Sequence, residues 1–302
     1  MASVRIVSLL PSTTEICFAV GAGDDVVGVT FECDFPVEAR DRQIVSTSAL
    51  TPGLTPGQID AEVKARIVAG EDLYHLDEGA LATLDADLVL TQDLCAVCAV
   101  DVTTVDDALE HLGCRADVLT VDPGRLDEVV ESVVTIGAVT GHRPAAVALA
   151  AELCARLAAV ADAVAGRPTP RIAVLEWTDP PFTAGHWVPD MVVAAGGDPV
   201  LGTAGERSVE TTWQQIAASA PDLIVVSPCG YRLAGAVDLA RAAIDEGVLP
   251  PGVPVWAVDA DAAYVRPGPR LVDGVEALAA ICHPTVLPAR PELATRVTPA
   301  GG

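Results

Sequence analysis

The chain has 302 residues, of which 51% are hydrophobic and only 4% aromatic, so it is long enough for two domains whose cores are mainly aliphatic. Its formal net charge of −24 at pH 7 would repel phosphate backbones and anionic lipid. We therefore expect neither nucleic-acid binding nor attachment to a membrane surface.

The first part of the sequence alternates short apolar runs with helical patterns, which is typical of α/β folds with parallel sheets. Residues 4–10 and 26–30 are predicted strands, and residues 12–23 are a predicted helix that opens with a capping box from Ser12 to Glu15. The pattern continues with predicted strands at 44–46, 87–91 and 116–121 and predicted helices at 76–84 and 104–113.

The second part repeats the alternation after a long helical stretch. Residues 122–167 are helical in pattern almost throughout, with an interruption at 140–144. The alternating set that follows comprises 171–177, 189–197, 213–219, 222–227, 233–247 and 253–258, with a terminal helix at 269–282. We predict three parts: an N-terminal α/β lobe at 1–122, a helical segment that includes a linker helix at 123–168, and a C-terminal α/β lobe at 169–302.

Two stretches of the chain share one pattern. The sequences "LATLDADLVLTQDLC" at 81–95 and "IAASAPDLIVVSPC" at 216–229 each contain a short helix, an Asp-Leu entry into an apolar strand, a few polar residues and a cysteine. The two lobes therefore look related. Because ligands of open α/β sheets lie at the carboxyl ends of the strands, we expect Cys95 and Cys229 in the walls of a ligand site.

Four of the eight cysteines, Cys33, Cys95, Cys98 and Cys229, fall in loops that follow predicted strands. Four thiolates near one point would bind zinc, a copper ion or an iron–sulfur cluster. The alternative is that these cysteines fill small gaps in the packing, as free cysteines often do. A second C-x-x-C is absent, so the sequence leaves both readings open.

The N-terminus "MASVRIVSLLPSTTE" lacks the apolar core and cleavage site of a secretory leader. No apolar run reaches the ~18 residues that would suggest a transmembrane helix. Scattered cysteines without a compact disulfide pattern are typical of a reducing compartment. We therefore expect a cytoplasmic protein; the alternative is a periplasmic or extracellular protein whose leader is missing from the given sequence.

Several stretches together resemble one known family: "RIVSLLPSTTEICFAVGAGDDVVGVT", "LDEGALATLDADLVL", "DPPFTAG" and "YVRPGPRLVDGVEALAAICHP". They are similar to the class III solute-binding proteins, the cobalamin- and iron-siderophore-binding components of ABC importers. The resemblance covers roughly residues 4–284. It implies an α/β fold of two Rossmann-like lobes with central parallel sheets, joined by a single long helix, with the ligand in a cleft between the lobes.

The chain departs from the family's pattern in three ways. Family members are exported, whereas this sequence begins directly at the first predicted strand. Cobalamin binders of the family carry a glutamate on each lobe for docking onto the permease, and Thr103 and Gln214 occupy those positions here. This replacement argues against docking onto an ABC permease. Residues 51–73 look like an insertion that either caps the cleft or decorates a surface.

The resemblance also implies which side chains meet the ligand. His186 and Trp187 lie in a loop that faces the ligand in the family, where an imidazole could coordinate a corrinoid cobalt and an indole could stack on a planar ring. The alternative is a surface histidine and a tryptophan packed under the loop.

Other candidates lie in the same set of loops. Glu176 could orient His186 or accept hydrogen bonds from ligand amides. The aromatic residues Phe182, Tyr231 and Tyr264 suit a large ring-shaped ligand. Arg266 could meet an anionic group, although an ordinary salt bridge with a nearby aspartate is an equal alternative.

The sequence therefore predicts a non-catalytic protein that binds a cobalamin-like corrinoid or a related metal chelate. The competing hypothesis is a cytoplasmic metal-binding protein or metalloenzyme, in which the four loop cysteines ligate zinc or iron together with His186. No Ser-His-Asp order, P-loop or dinucleotide fingerprint is visible.

Overall fold

The computed structural model describes residues 4–92 and 116–299. The chain divides into two compact units, the first made of residues 1–123 and 130–151 and the second of residues 124–129 and 152–302. Each unit is an α/β structure built around one mixed sheet.

The sheet of the first unit has the strand order β4-β3-β2-β1-β5-β6. Its strands are β1 (Ile6–Ser8), β2 (Val26–Thr30), β3 (Gln43–Ser48), β4 (Tyr74–Leu76), β5 (Leu88–Thr91) and β6 (Asp117–Thr120). All neighbouring pairs are parallel except β3 and β4, which are antiparallel. The parallel strands therefore end at one edge of the sheet.

In the part of the unit that the structure describes, the helices are α1 (Pro11–Ala19), α2 (Pro56–Ala69) and α3 (Glu78–Leu84), and the helix predicted at 104–113 lies outside that part. Helix α3 packs on the sheet through a buried cluster that includes Val7, Val45, Leu81, Leu84 and Val89. Helix α2 forms most of the predicted insertion and has no buried residue, so it lies on the outside of its unit.

Two helices follow β6 and precede β7 in the sequence, α4 (Leu126–Val139) and α5 (Arg143–Val164). The predicted interruption at 140–144 is where one helix ends and the other begins. Helix α5 has 22 residues, and the boundary between the units falls inside it, after Ala151.

The sheet of the second unit has the order β12-β11-β10-β7-β8, with β9 paired to β7. Its strands are β7 (Arg171–Thr178), β8 (Pro181–Thr183), β9 (Asp198–Pro199), β10 (Leu223–Val226), β11 (Val255–Val258) and β12 (Ala294–Val297). Strands β7, β10 and β11 are parallel, whereas β8 and β12 are antiparallel to their neighbours.

The helices of the second unit are α6 (Val188–Ala194), α7 (Trp213–Ala218), α8 (Leu233–Asp245), α9 (Ala260–Ala263) and α10 (Leu271–Cys282). Helix α8 packs on the sheet through Ala236 and Ala240, which meet Ile224, Val226 and other strand residues in a buried cluster. Small residues on the helix allow it to lie close to the strands.

The predicted capping box at Ser12 is wrong. The helix begins one residue earlier, at Pro11, with Leu10 as the N-cap and no side-chain cap, because proline is well suited to the first helical position. Capping boxes occur instead at Thr55 with Gln58 and at Thr212 with Gln215.

Within the described ranges, no helix is both long and apolar enough to cross a membrane.

Candidate functional site

The loops of interest in the second unit leave the sheet at one edge. Because β7, β10 and β11 are parallel, the segments that follow them start side by side. We call this region the second edge and define it as residues 176–187, 203–211, 227–232 and 259–266. It contains eight of the eleven predicted site residues.

Glu176, near the end of β7, is the point where three of these segments meet. The Ser208 hydroxyl donates a hydrogen bond to Glu176 Oε2. The backbone N–H of Cys229 donates to the Glu176 carbonyl at 3.2 Å. The Glu176 side chain is partly exposed, so its carboxylate is both positioned and within reach of solvent.

A pair of aromatic rings adjoins this carboxylate. The ring of Tyr231 meets that of Trp177 edge-on, with centroids 5.7 Å apart. Trp177 Nε1 donates to the Asp179 carbonyl at 2.9 Å, which fixes the indole. Burial raises the pKa of Tyr231, so its hydroxyl stays protonated at neutral pH. Both rings are partly exposed and offer apolar surface.

The segment 203–211 extends the sheet beyond β8. The Thr183 N–H donates to the Val209 carbonyl at 2.9 Å, and the Thr211 N–H donates to the Pro181 carbonyl at 2.8 Å. A Cβ atom at Gly202 would overlap the Ala184 carbonyl oxygen, so the two backbones touch there. Phe182, on β8, is held in this ladder and partly exposed.

His186 is anchored by its backbone in the same ladder. Its N–H donates to the Glu206 carbonyl at 2.6 Å, and its φ of 50° is left-handed. Its ring is partly buried, and Nε2 has no hydrogen-bond partner among the described residues. Burial and the nearby Arg207 charge lower the pKa of His186, so the imidazole is neutral at pH 7.

Trp187 and Tyr264 are the buried aromatic residues of the second edge. They are 5% and 0% exposed. Trp187 Nε1 donates to the Tyr264 carbonyl at 2.7 Å, and the Tyr264 hydroxyl donates to the Gly274 carbonyl at 3.2 Å. Both rings are covered by protein atoms, so neither offers a face to a ligand in this structure. The structure therefore indicates a packing role for both residues instead of the expected ligand contact. For Trp187 this is the alternative stated above.

Arg266 forms an ion pair with Asp261, with 3.6 Å between Nη2 and Oδ2. Their side chains are only 14% and 13% exposed. The Asp261 N–H also donates to the Tyr231 carbonyl at 3.3 Å. The salt bridge anticipated for Arg266 is therefore present.

The described cysteines differ in their surroundings. Cys229 is exposed on the second edge, whereas Cys33 is buried in the first unit, with its sulfur 3.1 Å from Thr14 Oγ1. Cys95 and Cys98 lie outside the described residues. Among residues 4–92 and 116–299, no group of three or more His, Cys, Asp or Glu side chains could hold a metal ion. The burial of Cys33 agrees with the packing alternative, and the predicted cluster as a whole stays a prediction.

The first unit has its own set of strand ends, which we call the first edge, residues 8–14 and 30–36. Thr14 Oγ1 donates to Ser8 Oγ at 2.8 Å, and Ser8 Oγ lies 2.6 Å from Thr13 Oγ1. All three hydroxyl side chains are fully buried. They tie the start of α1 to the end of β1 beneath the loop.

Two phenylalanines of the first edge were missed in the sequence analysis. Phe31 and Phe35 are 41% and 44% exposed. Phe31 contacts Tyr74, with ring centroids 6.3 Å apart, and the Tyr74 hydroxyl donates to Glu32 Oε2 at 3.2 Å. The sequence signal for them is compositional, because "FECDFP" holds two of the chain's four phenylalanines.

The fold agrees with comparisons to known proteins. A family model described as periplasmic binding protein matches residues 6–248, so the chain belongs to the periplasmic binding protein family. The resemblance to solute-binding proteins and the predicted α/β fold are thereby confirmed.

Two relatives carry more specific names. A cobalamin-binding protein of Halobacterium salinarum is 29% identical over 237 residues, which is 76% of this chain and 55% of the relative. The chain thus matches little more than half of that protein's length. An uncharacterized ABC transporter substrate-binding lipoprotein of Bacillus subtilis, YvrC, is 26% identical over 93% of this chain and 80% of its own.

Solved structures share the fold at low sequence identity. A periplasmic heme-binding protein of Pseudomonas aeruginosa has a TM-score of 0.72 and 20% identity, with 99% of each chain covered. The periplasmic vitamin B12-binding protein BtuF of Vibrio cholerae has a TM-score of 0.63 and 20% identity, with 91% of this chain and 95% of that chain covered.

Proposed function

We propose that this protein binds, without catalysis, a corrinoid of the cobalamin type or a related metal chelate such as a heme. The observation that carries the proposal is the exposure of aromatic rings at the strand ends of both units. Phe31 and Phe35 project from the first edge, and Trp177, Phe182 and Tyr231 are partly exposed on the second.

Exposed aromatic rings at strand ends suit a large macrocycle. A corrin or porphyrin has broad apolar faces, and desolvating these faces against aromatic side chains is favourable at roughly 25 cal/mol per Å². The polar rim of such a ligand needs separate hydrogen-bonding groups, which Glu176 and Ser208 supply on the second edge. The names of the relatives support this ligand class.

Importer function is a separate matter. Gln214 is exposed in the first turn of α7. The resemblance predicts that this position docks onto a permease in the family, where it is a glutamate. Docking onto a permease and the location of the protein stay predictions. The proposal concerns ligand binding alone.

Absorbance titration of the purified full chain with cyanocobalamin and, separately, with hemin tests the proposal. We expect saturable binding of at least one of the two, with a shift in its visible spectrum. Replacing both Phe31 and Phe35 by alanine should weaken that binding by roughly tenfold per ring, because the stacking surface is lost.

The matched control is Val147→Ala on α5, which removes a 49% exposed apolar side chain from the same unit. It should leave both binding and thermal stability unchanged. Absence of saturable binding with both chelates would contradict the proposed function.

A further inference from the structure

His186 has an unsatisfied ring nitrogen at the second edge. Nε2 is buried and has no hydrogen-bond partner among the described residues. A buried polar atom without a partner costs free energy, and such atoms are rare in folded proteins. The His186 residue as a whole is partly exposed, so its ring lies at the surface of the edge and not in the core. A nitrogen in this position is available to a group that binds at the edge.

A second histidine with a similar nitrogen shows what distinguishes His186. His283 Nε2 is also buried without a hydrogen-bond partner in the part of the chain that the structure describes, and His283 follows the last turn of α10. A Cβ atom at Gly196 would lie only 2.7 Å from this nitrogen, and His283 is 6% exposed. His283 is therefore enclosed by packing, whereas the His186 side chain reaches the surface.

The backbone around His186 is held in place on both sides. Its N–H donates to the Glu206 carbonyl at 2.6 Å, and its carbonyl accepts from the Gly205 N–H at 3.0 Å, which stabilises the left-handed φ of 50°. A Cβ atom at Gly185 would overlap the Glu206 carbonyl oxygen, so the two backbones touch there. Because Nε2 forms no hydrogen bond with the described residues, turning the ring breaks none with them.

The segment 203–211 places His186 close to the exposed rings of the same unit. Glu206 accepts the hydrogen bond from His186, and Ser208, two residues later, donates to Glu176, which directly precedes Trp177. Cα atoms two residues apart are separated by less than about 8 Å. The two contacts therefore lie closer together than a tetrapyrrole is broad, and one macrocycle on this edge has both His186 and Trp177 within reach.

The charge state of the His186 ring suits binding to a metal. Burial and, after it, the positive charge of Arg207 lower the pKa of His186, so the imidazole is neutral at pH 7. A neutral imidazole nitrogen is a common metal ligand, including for the iron of hemes. Corrin and porphyrin rings occupy four positions around their metal and leave the two axial positions to other ligands.

We propose that His186 supplies an axial ligand, through Nε2, to the metal of the bound chelate, and that the second edge therefore prefers chelates whose metal has an exchangeable axial position. Ligation needs the ring to turn so that Nε2 faces the chelate. The imidazole donates a lone pair and an axial water leaves, with no transfer of electrons between metal and protein. The proposal rests on the proposed function and narrows its ligand class.

Cobinamide provides the test, because it lacks the nucleotide base of cobalamin and its cobalt keeps exchangeable axial positions. The full chain, without a polyhistidine tag and in a buffer free of imidazole, is mixed with cobinamide that has been chemically reduced to cobalt(II). The EPR spectrum of the complex is then recorded. A coordinated ¹⁴N nucleus splits each cobalt line into a triplet, and ¹⁵N labelling of histidine converts the triplet into a doublet.

For the unaltered protein we expect the triplet, and the doublet after labelling. His186→Asn keeps a residue that tolerates positive φ but loses the imidazole, so it should abolish the splitting and weaken cobinamide binding roughly tenfold. His186→Gly also suits this backbone conformation. It should lose the splitting and regain it when free imidazole is added.

Two controls separate ligation from packing. Dicyanocobinamide carries cyanide at both axial positions, so His186→Asn should weaken its binding far less than that of cobalt(II) cobinamide. His75→Asn removes an exposed histidine from β4 and should keep the triplet. Thermal melts of all variants report on folding. Hemin offers iron as a second metal, and we expect a low-spin ferric EPR signal that His186→Asn removes.

Three results would count against these statements. Cobinamide or hemin that binds without nitrogen coordination overturns ligation by His186 while leaving the proposed function intact. A triplet that persists in His186→Asn assigns the nitrogen to another residue and equally overturns it. Absence of binding for cobinamide, cyanocobalamin and hemin contradicts the proposed function itself.

Discussion

The two units are alike at the amino ends of their strands and different at the carboxyl ends. In the first unit, the Arg5 N–H donates to Asp87 Oδ2 at 2.8 Å, and the Asp87 N–H donates to the Arg5 carbonyl at 2.9 Å. The Arg5 side chain then reaches the Leu84 carbonyl at 2.8 Å. We call this arrangement the arginine–aspartate clasp.

The second unit repeats the clasp with other residues. The Arg171 N–H donates to Asp222 Oδ2 at 2.8 Å, and the Asp222 N–H donates to the Arg171 carbonyl at 2.8 Å. The Arg171 side chain reaches the Ala220 carbonyl at 3.1 Å. In both units the clasp joins the starts of two adjacent parallel strands just after a short helix.

At the carboxyl ends, the residues that the structure describes show no such repetition, and the segment after β5 lies outside them. The first edge has buried hydroxyls, a buried thiol and two exposed phenylalanines, whereas the second edge has a held carboxylate, an indole–phenol pair and an exposed thiol. Identical solutions at one end indicate a requirement of the fold. Different groups at the other end indicate that the fold does not fix the residues there.

The largest expected effect is a difference in the free energy of unfolding between alanine substitutions at two glycines that have nearly the same φ. Gly202 in the second unit has φ of 79° and abuts the Ala184 carbonyl, whereas Gly53 in the first unit has φ of 80° and nothing within 4 Å of a built Cβ. Gly202→Ala should lower the free energy of unfolding by about 3 kcal/mol or more, since strain and a backbone clash add.

Gly53→Ala should cost only about 1 kcal/mol, because conformational strain acts alone. Urea denaturation of both variants measures the difference. Equal losses would mean that the second edge does not depend on the close backbone contact at Gly202.

An intermediate effect tests whether the two clasps are equivalent. Asp87→Ala and Asp222→Ala each remove one acceptor from a strand start and should each lower the free energy of unfolding by about 1 kcal/mol. Neither change should alter the dissociation constant for cyanocobalamin. A changed dissociation constant in either variant would contradict the claim that the amino ends of the strands support the fold and take no part in ligand binding.

The smallest expected effect concerns pH and belongs to the second edge alone. The folded-state pKa of His186 lies below its unfolded value, so the folded state binds fewer protons than the unfolded state at acidic pH. Its contribution to stability is therefore present above the unfolded pKa of about 6.5 and is lost as the pH falls through the folded pKa.

His186→Asn removes this titration while keeping a residue that tolerates positive φ. Melting temperatures between pH 5 and pH 8 should fall more steeply with acidification for the unaltered protein than for the variant. Parallel curves would show that His186 contributes nothing to the pH dependence.

Much of the fold could be predicted because its parallel strands are apolar runs bounded by helical patterns. The antiparallel strands β4, β8 and β12 were missed, since each has only three or four residues and none is a continuous apolar run. Helix α2 was noted only as an insertion. Its starting capping box, Thr55 with Gln58, was present in the sequence.

The site was predictable at the level of loops but not of side-chain direction. Phe31 and Tyr264 both follow predicted strands, yet Phe31 is exposed and Tyr264 is fully buried. The difference arises from distant contacts, such as the hydrogen bond from Trp187 to the Tyr264 carbonyl, which no local pattern encodes. The same limitation explains why Cys33 looked available and is buried.

The position of the unit boundary inside α5 has a consequence for how the protein can be divided. The chain passes from one unit to the other after residues 123, 129 and 151, so neither unit is a continuous piece of the gene. A fragment that stops at residue 122 lacks part of the first unit, and one that starts at residue 169 lacks part of the second. A simple cut leaves both products incomplete, and joining the termini and cutting elsewhere does not help, because the four pieces still alternate between the units around the circle.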